Sequence, residues 1–375
     1  MTTINIVGWY GTETIGDRAI LAGLVHIFSK VFDEYEIQLG SLFPDFTERT
    51  VLEDDEFLRH ISCGKLSKIT LYDSTIKSEI NKSVKKSDYL FFGGGPFMDV
   101  PATKCLEYAF RYAKKKNVKT GVLGCGYGPI RQDKYISLVK SILSLSDIII
   151  FRDNISKEEY QKVSGNKVCY SSIDPAVFCA HYAKGLFENL DSPKKDEVAI
   201  NFRDVELDSY QKDRALEYRN YFMTLLDLET QKDKIIHLVP MHTFYIGGDD
   251  RVYLYNLSKN MKTDKIIVQS KPLSLYETMK IYYDAEYCYG MRFHSVLLQT
   301  ILNGNNIILD YTDPTKGKII GLLKQLNVEE QYVNSYVSLP LGQYEKVTPS
   351  NHTIVPDNLI EGFKDIYIKE LQNIL

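Results

Sequence analysis

Arg292 and His294 stand two residues apart in the stretch 286–297, which reads E-Y-C-Y-G-M-R-F-H-S-V-L. The apolar residues before Gly290 have the character of a buried strand. Gly290 makes a tight turn, and the residues after it open a helix that runs to Gly304. The first turn of a helix leaves backbone N–H groups unpaired and carries the positive end of the dipole. An arginine and a histidine placed there make an anion site with its own cation and its own titratable acid. Such a site can bind a phosphate or carboxylate and then pass a proton. The plain alternative is structural, because on a helix His294 shares a face with Leu297, Leu298 and Ile301, the surroundings of a core histidine.

Further candidates sit after other strands. Residues 4–9 form a short apolar strand followed by G-T-E-T-I-G-D-R-A-I-L, in which Gly11 and Gly16 bracket a loop holding Glu13. Asp17 is placed to cap the helix carrying Ile20, Leu21, Leu24, Val25 and Phe28. The spacing is not G-x-G-x-x-G, so no dinucleotide cofactor is expected. The strand 88–92 runs into G-G-G-P-F-M-D, where Gly93, Gly94 and Gly95 let the backbone approach a ligand or a neighbouring loop and Asp99 follows closely. Strand 119–123 ends in G-C-G-Y-G-P-I. Strand 147–151 ends in Arg152, with Asn154 or Ser156 as a cap for the next helix, and I-D-P-A follows a strand at 167–171. In the second half, Arg203 follows the strand 198–202 and His242 follows the strand 234–239 through a Pro-Met turn. Asp310 and Asp313 border the loop Y-T-D-P-T-K-G-K after the strand 306–310, and Lys318 leads into a helix at 319–326.

The elements that carry these residues alternate between strand and helix. A weak strand lies near 37–42, residues 66–71 are ambiguous, and helices are expected at 76–86, 102–115, 134–144 and 208–229. Residues 272–283 form an amphipathic helix with Pro272 near its start, and 359–375 form a last one. Around 181–197 the pattern lapses into charged and polar residues, which marks a domain boundary. Two α/β domains with mostly parallel sheets are expected, residues 1–185 and 186–350, with the C-terminal helix at 355–375.

The chain has 375 residues, 45 Lys+Arg against 49 Asp+Glu and a net charge of -4, so nothing global points to nucleic acid. Its 44% hydrophobic and 25% charged residues are those of a globular protein. Six cysteines without C-x-x-C spacing suit a reduced compartment with neither disulfides nor a structural zinc. The N-terminus goes directly into a strand and no uninterrupted apolar run reaches about 18 residues, so neither a leader nor a membrane span is expected. No carboxylate and histidine cluster has metal spacing, and no metal is expected.

With these motifs in order, the chain resembles the polysaccharide pyruvyl transferase family. The resemblance rests on the opening G-x-x-x-x-G-D-x-A-I-L, the G-G-G with an acid beyond it, G-x-G-P, F-R-D-x-x-S and I-D-P-A. In the second half it rests on R-x-H after a glycine and D-P-x-K-x-K-x-x-G-L-L. The chain departs from the family at Arg18, where an acid usually follows G-D, and in a late motif longer than the usual Y-D-x-K. Of Lys316 and Lys318, the second leads directly into the helix and is the favoured counterpart.

The resemblance implies two facing Rossmann-like domains of the GT-B type with a central cleft. It also implies transfer of pyruvate from phosphoenolpyruvate to sugar hydroxyls as a ketal, with no cofactor besides that co-substrate. The donor's phosphate and carboxylate call for cations: Arg292, gripping one anion bidentately, then Arg203, Lys318 and Arg152. His294 is the expected general acid on the methylene carbon. Asp17, Glu13 and Asp99 are the acidic candidates for activating the hydroxyls, with Asp17 the catalytic choice. Glu13, Gly16, Gly94, Gly95 and Asp99 are placed on the acceptor side. The protein is expected in the cytoplasm, with peripheral contact at the inner membrane face if the glycan acceptor is lipid-linked. The competing enzyme is a GT-B nucleotide-sugar glycosyltransferase, with the Gly290 turn on a pyrophosphate and Asp310 or Asp313 on a ribose. A glycan-binding module without catalysis is the third reading.

Overall fold

The structure, a computed structural model, describes all residues except 129, 165–166, 191–193, 206–211, 245–247, 316 and 340–346. Lys316 and residues 208–211 of the helix expected at 208–229 therefore lie outside the described residues. The chain divides into two compact units. Unit 1 comprises residues 1–13, 17–179 and 357–375, and unit 2 comprises 14–16 and 180–356.

Unit 1 is built on seven parallel strands: β1 (Thr2–Val7), β2 (Tyr35–Ser41), β3 (Leu66–Asp73), β4 (Tyr89–Phe92), β5 (Lys119–Cys125), β6 (Ile148–Phe151) and β7 (Tyr170–Ser171). Their order across the sheet is β3-β2-β1-β4-β5-β6-β7. Both faces are covered by α1 (Ile15–Val31), α2 (Pro44–Ile61), α3 (Lys77–Val84), α4 (Thr103–Lys115), α5 (Asp133–Leu145) and α6 (Asn154–Ser164), so β4 and β6 read as continuous apolar runs. On one face Phe92 stacks on Phe97 at 4.7 Å between centroids, within a cluster including Leu106, Phe110, Val139 and Phe151.

The helix α7 (Ala176–Glu188) continues through the residues read as a lapse in pattern. Phe187, packed against Tyr276 and Tyr283, is what its polar neighbours obscured. Unit 2 then sets out six parallel strands: β8 (Lys195–Ile200), β9 (Ile235–Leu238), β10 (Ile266–Val268), β11 (Ala285–Gly290), β12 (Asn306–Asp310) and β13 (Tyr336–Ser338), ordered β10-β9-β8-β11-β12-β13. Between them run α8 (Ala215–Gln231), α9 (Asp250–Ser258), α10 (Leu275–Asp284), α11 (Phe293–Leu302) and α12 (Lys318–Gln325). Ser274 and Glu277 close a capping box at the start of α10, so the start signal is that box, with Pro272 just outside it. The last helix, α13 (Asp357–Gln372), belongs to unit 1. There the Tyr367 hydroxyl donates to the Ile173 carbonyl at 2.6 Å and the Ser172 hydroxyl to that of Phe363 at 2.8 Å.

Other local expectations shift. Residues 66–71 are strand, and α2 was not expected at all: its acid-rich, mixed pattern buries Phe57, Leu58 and Ile61 on one narrow face. Helix α1 begins at Ile15, which puts Asp17 inside the first turn rather than at the cap. Asp153, not Asn154 or Ser156, accepts the first-turn N–H of α6, from Ser156 at 2.6 Å.

Candidate functional site

In a sheet of order 3-2-1-4-5-6, connections leave in opposite directions from the two central strands, and a crevice opens at their carboxyl ends. In unit 2 those strands are β8 and β11. Arg203 follows the first and Arg292 the second. Asn201, fully buried, ties the strand ends together: its N–H donates to the Tyr289 carbonyl at 2.9 Å, its amide to the Val239 carbonyl at 3.0 Å, and its side-chain oxygen accepts the Arg292 N–H at 3.1 Å. Arg292 is the N-cap of α11, which places His294 in the first turn beside the unpaired N–H groups.

Arg292 does not present its whole fork to a ligand. Its Nε and Nη2 donate to Asp250 at 2.9 and 2.5 Å, the side-on bidentate geometry expected for a substrate anion. Burial works against the guanidinium charge, but Asp250 outweighs it and holds the pKa above its ordinary value. The Nη1 end makes no hydrogen bond or ion pair with the described residues, so an anion is left the end-on edge. Asp250, the first residue of α9, also accepts the N–H groups of Met241 and His242, each at 3.0 Å. One buried carboxylate therefore orients both the arginine and the turn after β9.

The other cations converge from different elements. The Arg203 guanidinium lies 4.6 Å from the centroid of the Tyr311 ring, and the Lys318 ammonium lies 5.4 Å from it. Lys318 is the first residue of α12, whose N-cap is Gly317. Tyr311, 7% exposed, follows β12. Burial pushes its phenol up, but Lys318, Arg203 and Arg292 together bring it down to about 8. His242 is held neutral, well below its ordinary pKa, by burial and then by Arg292, Arg203, His294 and Lys318. Its Nδ1 is buried with no hydrogen-bond partner among the described residues. Unit 2 also includes residues 14–16, where Thr14 bridges His242 and the Ile15 N–H donates to the Met241 carbonyl at 3.0 Å. A Cβ on Gly16 would overlap the His294 ring, so only glycine fits.

Unit 1 gathers its candidates at the carboxyl ends of its own central strands, β1 and β4. Glu13 sits in the left-handed region at φ 58, is 6% exposed, and pairs with Arg49. Burial raises its pKa against the opposing pull of Arg49. Asp17 accepts from the Thr12 hydroxyl at 3.3 Å. The glycine run is explained in part by a neighbouring loop: the Tyr10 hydroxyl donates to the Gly93 carbonyl, and a Cβ on Gly95, at φ +63, would fall 2.8 Å from the Trp9 ring. Gly94 has ordinary room. Asp99 accepts backbone N–H groups from Arg131 at 2.9 Å and Gln132 at 3.5 Å. Arg152 lies in unit 1, with its guanidinium on Asp174 at 3.2 Å and Asp153 at 3.6 Å. A Cβ on Gly126 would press on that guanidinium at 3.1 Å.

Arg203, Arg292, Lys318 and His294 are thus brought together in unit 2, whereas Arg152, Glu13, Asp17, Gly94, Gly95 and Asp99 belong to unit 1. Sequence reading missed Asp250 and Tyr311. The signal for the first was a carboxylate opening a helix, for the second a tyrosine directly after a strand. Asp310 is fully buried and accepts from Thr312 and Tyr336, and Asp313 accepts from Thr315, which leaves Asp310 no exposed oxygen for a ribose. Among the described residues no His, Cys, Asp or Glu cluster could hold a metal ion, and no helix is long and apolar enough to cross a membrane.

A family model described as polysaccharide pyruvyl transferase matches residues 15–314. No curated protein matches the chain. Among solved structures, a UDP-GlcNAc 2-epimerase from Methanocaldococcus jannaschii is similar with a TM-score of 0.55 at 13% identity, covering 99% of this chain and 100% of that one. The Neisseria meningitidis UDP-GlcNAc 2-epimerase bound to UDP-GlcNAc gives 0.54 at 11%, covering 100% of both chains. The Glycyrrhiza uralensis UGT73P12 complexed with glycyrrhetinic acid 3-O-monoglucuronide gives 0.50 at 10%, covering 100% and 91%. At such identities the likeness is one of fold: a GT-B-like chain of two Rossmann-like α/β units.

Proposed function

The chain belongs to the polysaccharide pyruvyl transferase family, and on that premise we propose that it moves pyruvate from phosphoenolpyruvate onto two hydroxyls of a sugar, as a ketal, in a cell-surface polysaccharide or its precursor. The observation that carries this reading is the concentration of Arg203, Arg292 and Lys318 around the first turn of α11 in unit 2, with His294 among them. A donor with a phosphate and a carboxylate needs several cations, and an acid beside them is what its chemistry requires. His294 protonates the methylene carbon, which makes C2 electrophilic. One sugar hydroxyl adds at C2, phosphate leaves with the C2–O bond, and the second hydroxyl closes the ketal; each hydroxyl gives up its proton. Such proton transfer is worth about a hundredfold to ten-thousandfold in rate.

In this reading Asp17 and Glu13 are the bases of unit 1. Burial raises the pKa of the Glu13 carboxyl, and Asp99 is the weaker candidate because backbone N–H groups occupy it. Arg152 remains a donor contact only if it exchanges part of its pairing with Asp174 and Asp153. No metal or cofactor is required, and the reaction takes place in the cytoplasm on a glycan acceptor.

The test is thermal stabilisation of the protein by phosphoenolpyruvate, inorganic phosphate and UDP, on wild type and Arg292→Ala. A shift from phosphoenolpyruvate that phosphate does not reproduce and the variant loses supports the donor. A shift from UDP in place of phosphoenolpyruvate refutes it in favour of a nucleotide-sugar enzyme.

A further inference from the structure

Three cations from three elements meet at one phenol, and the proposed reaction gives that phenol no task. Arg203 comes from the end of β8, Lys318 from the start of α12 and Arg292 from the start of α11, and Tyr311 stands where they converge. Asp250 neutralises Arg292. Arg203 and Lys318 share the electron-rich tyrosine.

We propose, on the donor reading above, that Tyr311 is a proton-carrying contact of the donor anion: a partial counter-charge to Arg203 and Lys318 in the empty site, and a protonated hydrogen-bond donor to the anion once it is bound. The step balances as phenolate plus a solvent proton plus bound anion giving phenol hydrogen-bonded to that anion; nothing is oxidised or transferred.

The physical ground is competition for the same cations. A phenolate and a donor phosphate both seek Arg203 and Lys318, and two negative charges side by side in a buried site repel. When the anion takes the cations, the phenolate loses its stabilisation and takes up a proton. Tyr311 is poised for this because the cations bring it to about 8. The other groups facing it do not mimic the effect. His242 is neutral well below that range. Asp250 is committed to Arg292. On its own loop Asp310 and Asp313 are bonded to Thr312, Tyr336 and Thr315. His294, in the first turn of α11, is the acid of the donor reading itself. The donor's own phosphate loses its last proton near about pH 6, again below that window.

The experiment measures phosphoenolpyruvate affinity by calorimetry from pH 7 to 9.5 on wild type and Tyr311→Phe, with inorganic phosphate in parallel. Wild-type affinity should fall about tenfold per pH unit above about pH 8. The Phe variant should bind about tenfold more weakly at pH 7, having lost a hydrogen bond to a charged group, and should lose the slope above pH 8. Wild type alone supplies a second readout: at pH 9, titrations in two buffers of different ionisation enthalpy should show uptake of close to one proton per donor bound. No uptake, or a slope kept by the Phe variant, overturns the role of Tyr311. If inorganic phosphate shows the slope and uptake while phosphoenolpyruvate does not bind, the donor reading falls and the tyrosine contact stands.

Discussion

Replacing Asp250 by Asn tests whether one carboxylate organises the cation site. The carboxylate receives four N–H donors: Arg292 Nε, Met241 N–H and His242 N–H on one oxygen, and Arg292 Nη2 on the other. An amide keeps one acceptor oxygen. If that oxygen serves the three donors, its NH2 faces Arg292 Nη2, donor against donor, and the buried guanidinium loses its counter-charge. Breaking a buried ion pair from one side costs about 3–5 kcal/mol. The lower end applies, because the Arg292 side chain is 14% exposed and water reaches it. Unit 2 falls in the size range where 1 kcal/mol moves Tm by about 2–4 °C, so about 3 kcal/mol predicts a fall of about 6–12 °C. Differential scanning calorimetry measures it, with urea unfolding as the second assay. A fall below about 1 °C would mean that the pair acts like an exposed one and that Asp250 holds nothing in place. Phosphate should also stabilise the Asn variant by more degrees than it stabilises wild type, since it supplies the missing charge.

Replacing His294 by Ala should abolish pyruvyl transfer with Tm changed by less than about 3 °C; retained turnover removes it as the acid. Asp17→Asn should slow the acceptor step and leave phosphoenolpyruvate affinity within about twofold, and a loss confined to donor affinity would reverse its role. Gly95→Ala should destabilise by about 1–2 kcal/mol, because it needs a left-handed residue against Trp9, while Gly94→Ala should stay within about 0.5 kcal/mol; equal effects in urea unfolding would contradict the packing account. Burial, then Lys30 and Lys364, lower the pKa of His26 to about 4. The unfolded chain therefore binds a proton that the folded one refuses between about pH 6.5 and 4, and His26 costs stability progressively as pH falls through that window. A His26→Gln variant should lose less stability there than wild type, and an unchanged pH profile would refute the assignment.

Much of the architecture was legible in the chain. The alternation of apolar runs and amphipathic segments, punctuated by glycines after strands, specified two Rossmann-like halves, because backbone periodicity is a property of neighbouring residues. The same punctuation pointed to Arg203 and Arg292, since a polar residue just after a parallel strand lies at the carboxyl edge of the sheet, and to His294 and Lys318 in the first turns of the helices that follow. Helix α2 was hidden because its acidic residues outnumber the few apolar ones it buries. The extension of α7 through 181–188 was hidden because its anchor, Phe187, packs on α10, far along the chain.

What the tertiary structure alone decided is which side chains meet. Strand order puts β8 beside β11, and so Arg203 near Arg292. It also brings Asp250 onto the Arg292 fork and Tyr311 between Arg203 and Lys318. No local pattern encodes these pairings, since each joins ends of elements separated by whole helices. Burial gives them their weight: among packed apolar strands a carboxylate or phenol beside a cation is scarcely screened, and so Asp250 and Tyr311, ordinary residues in the sequence, set the charge of the site.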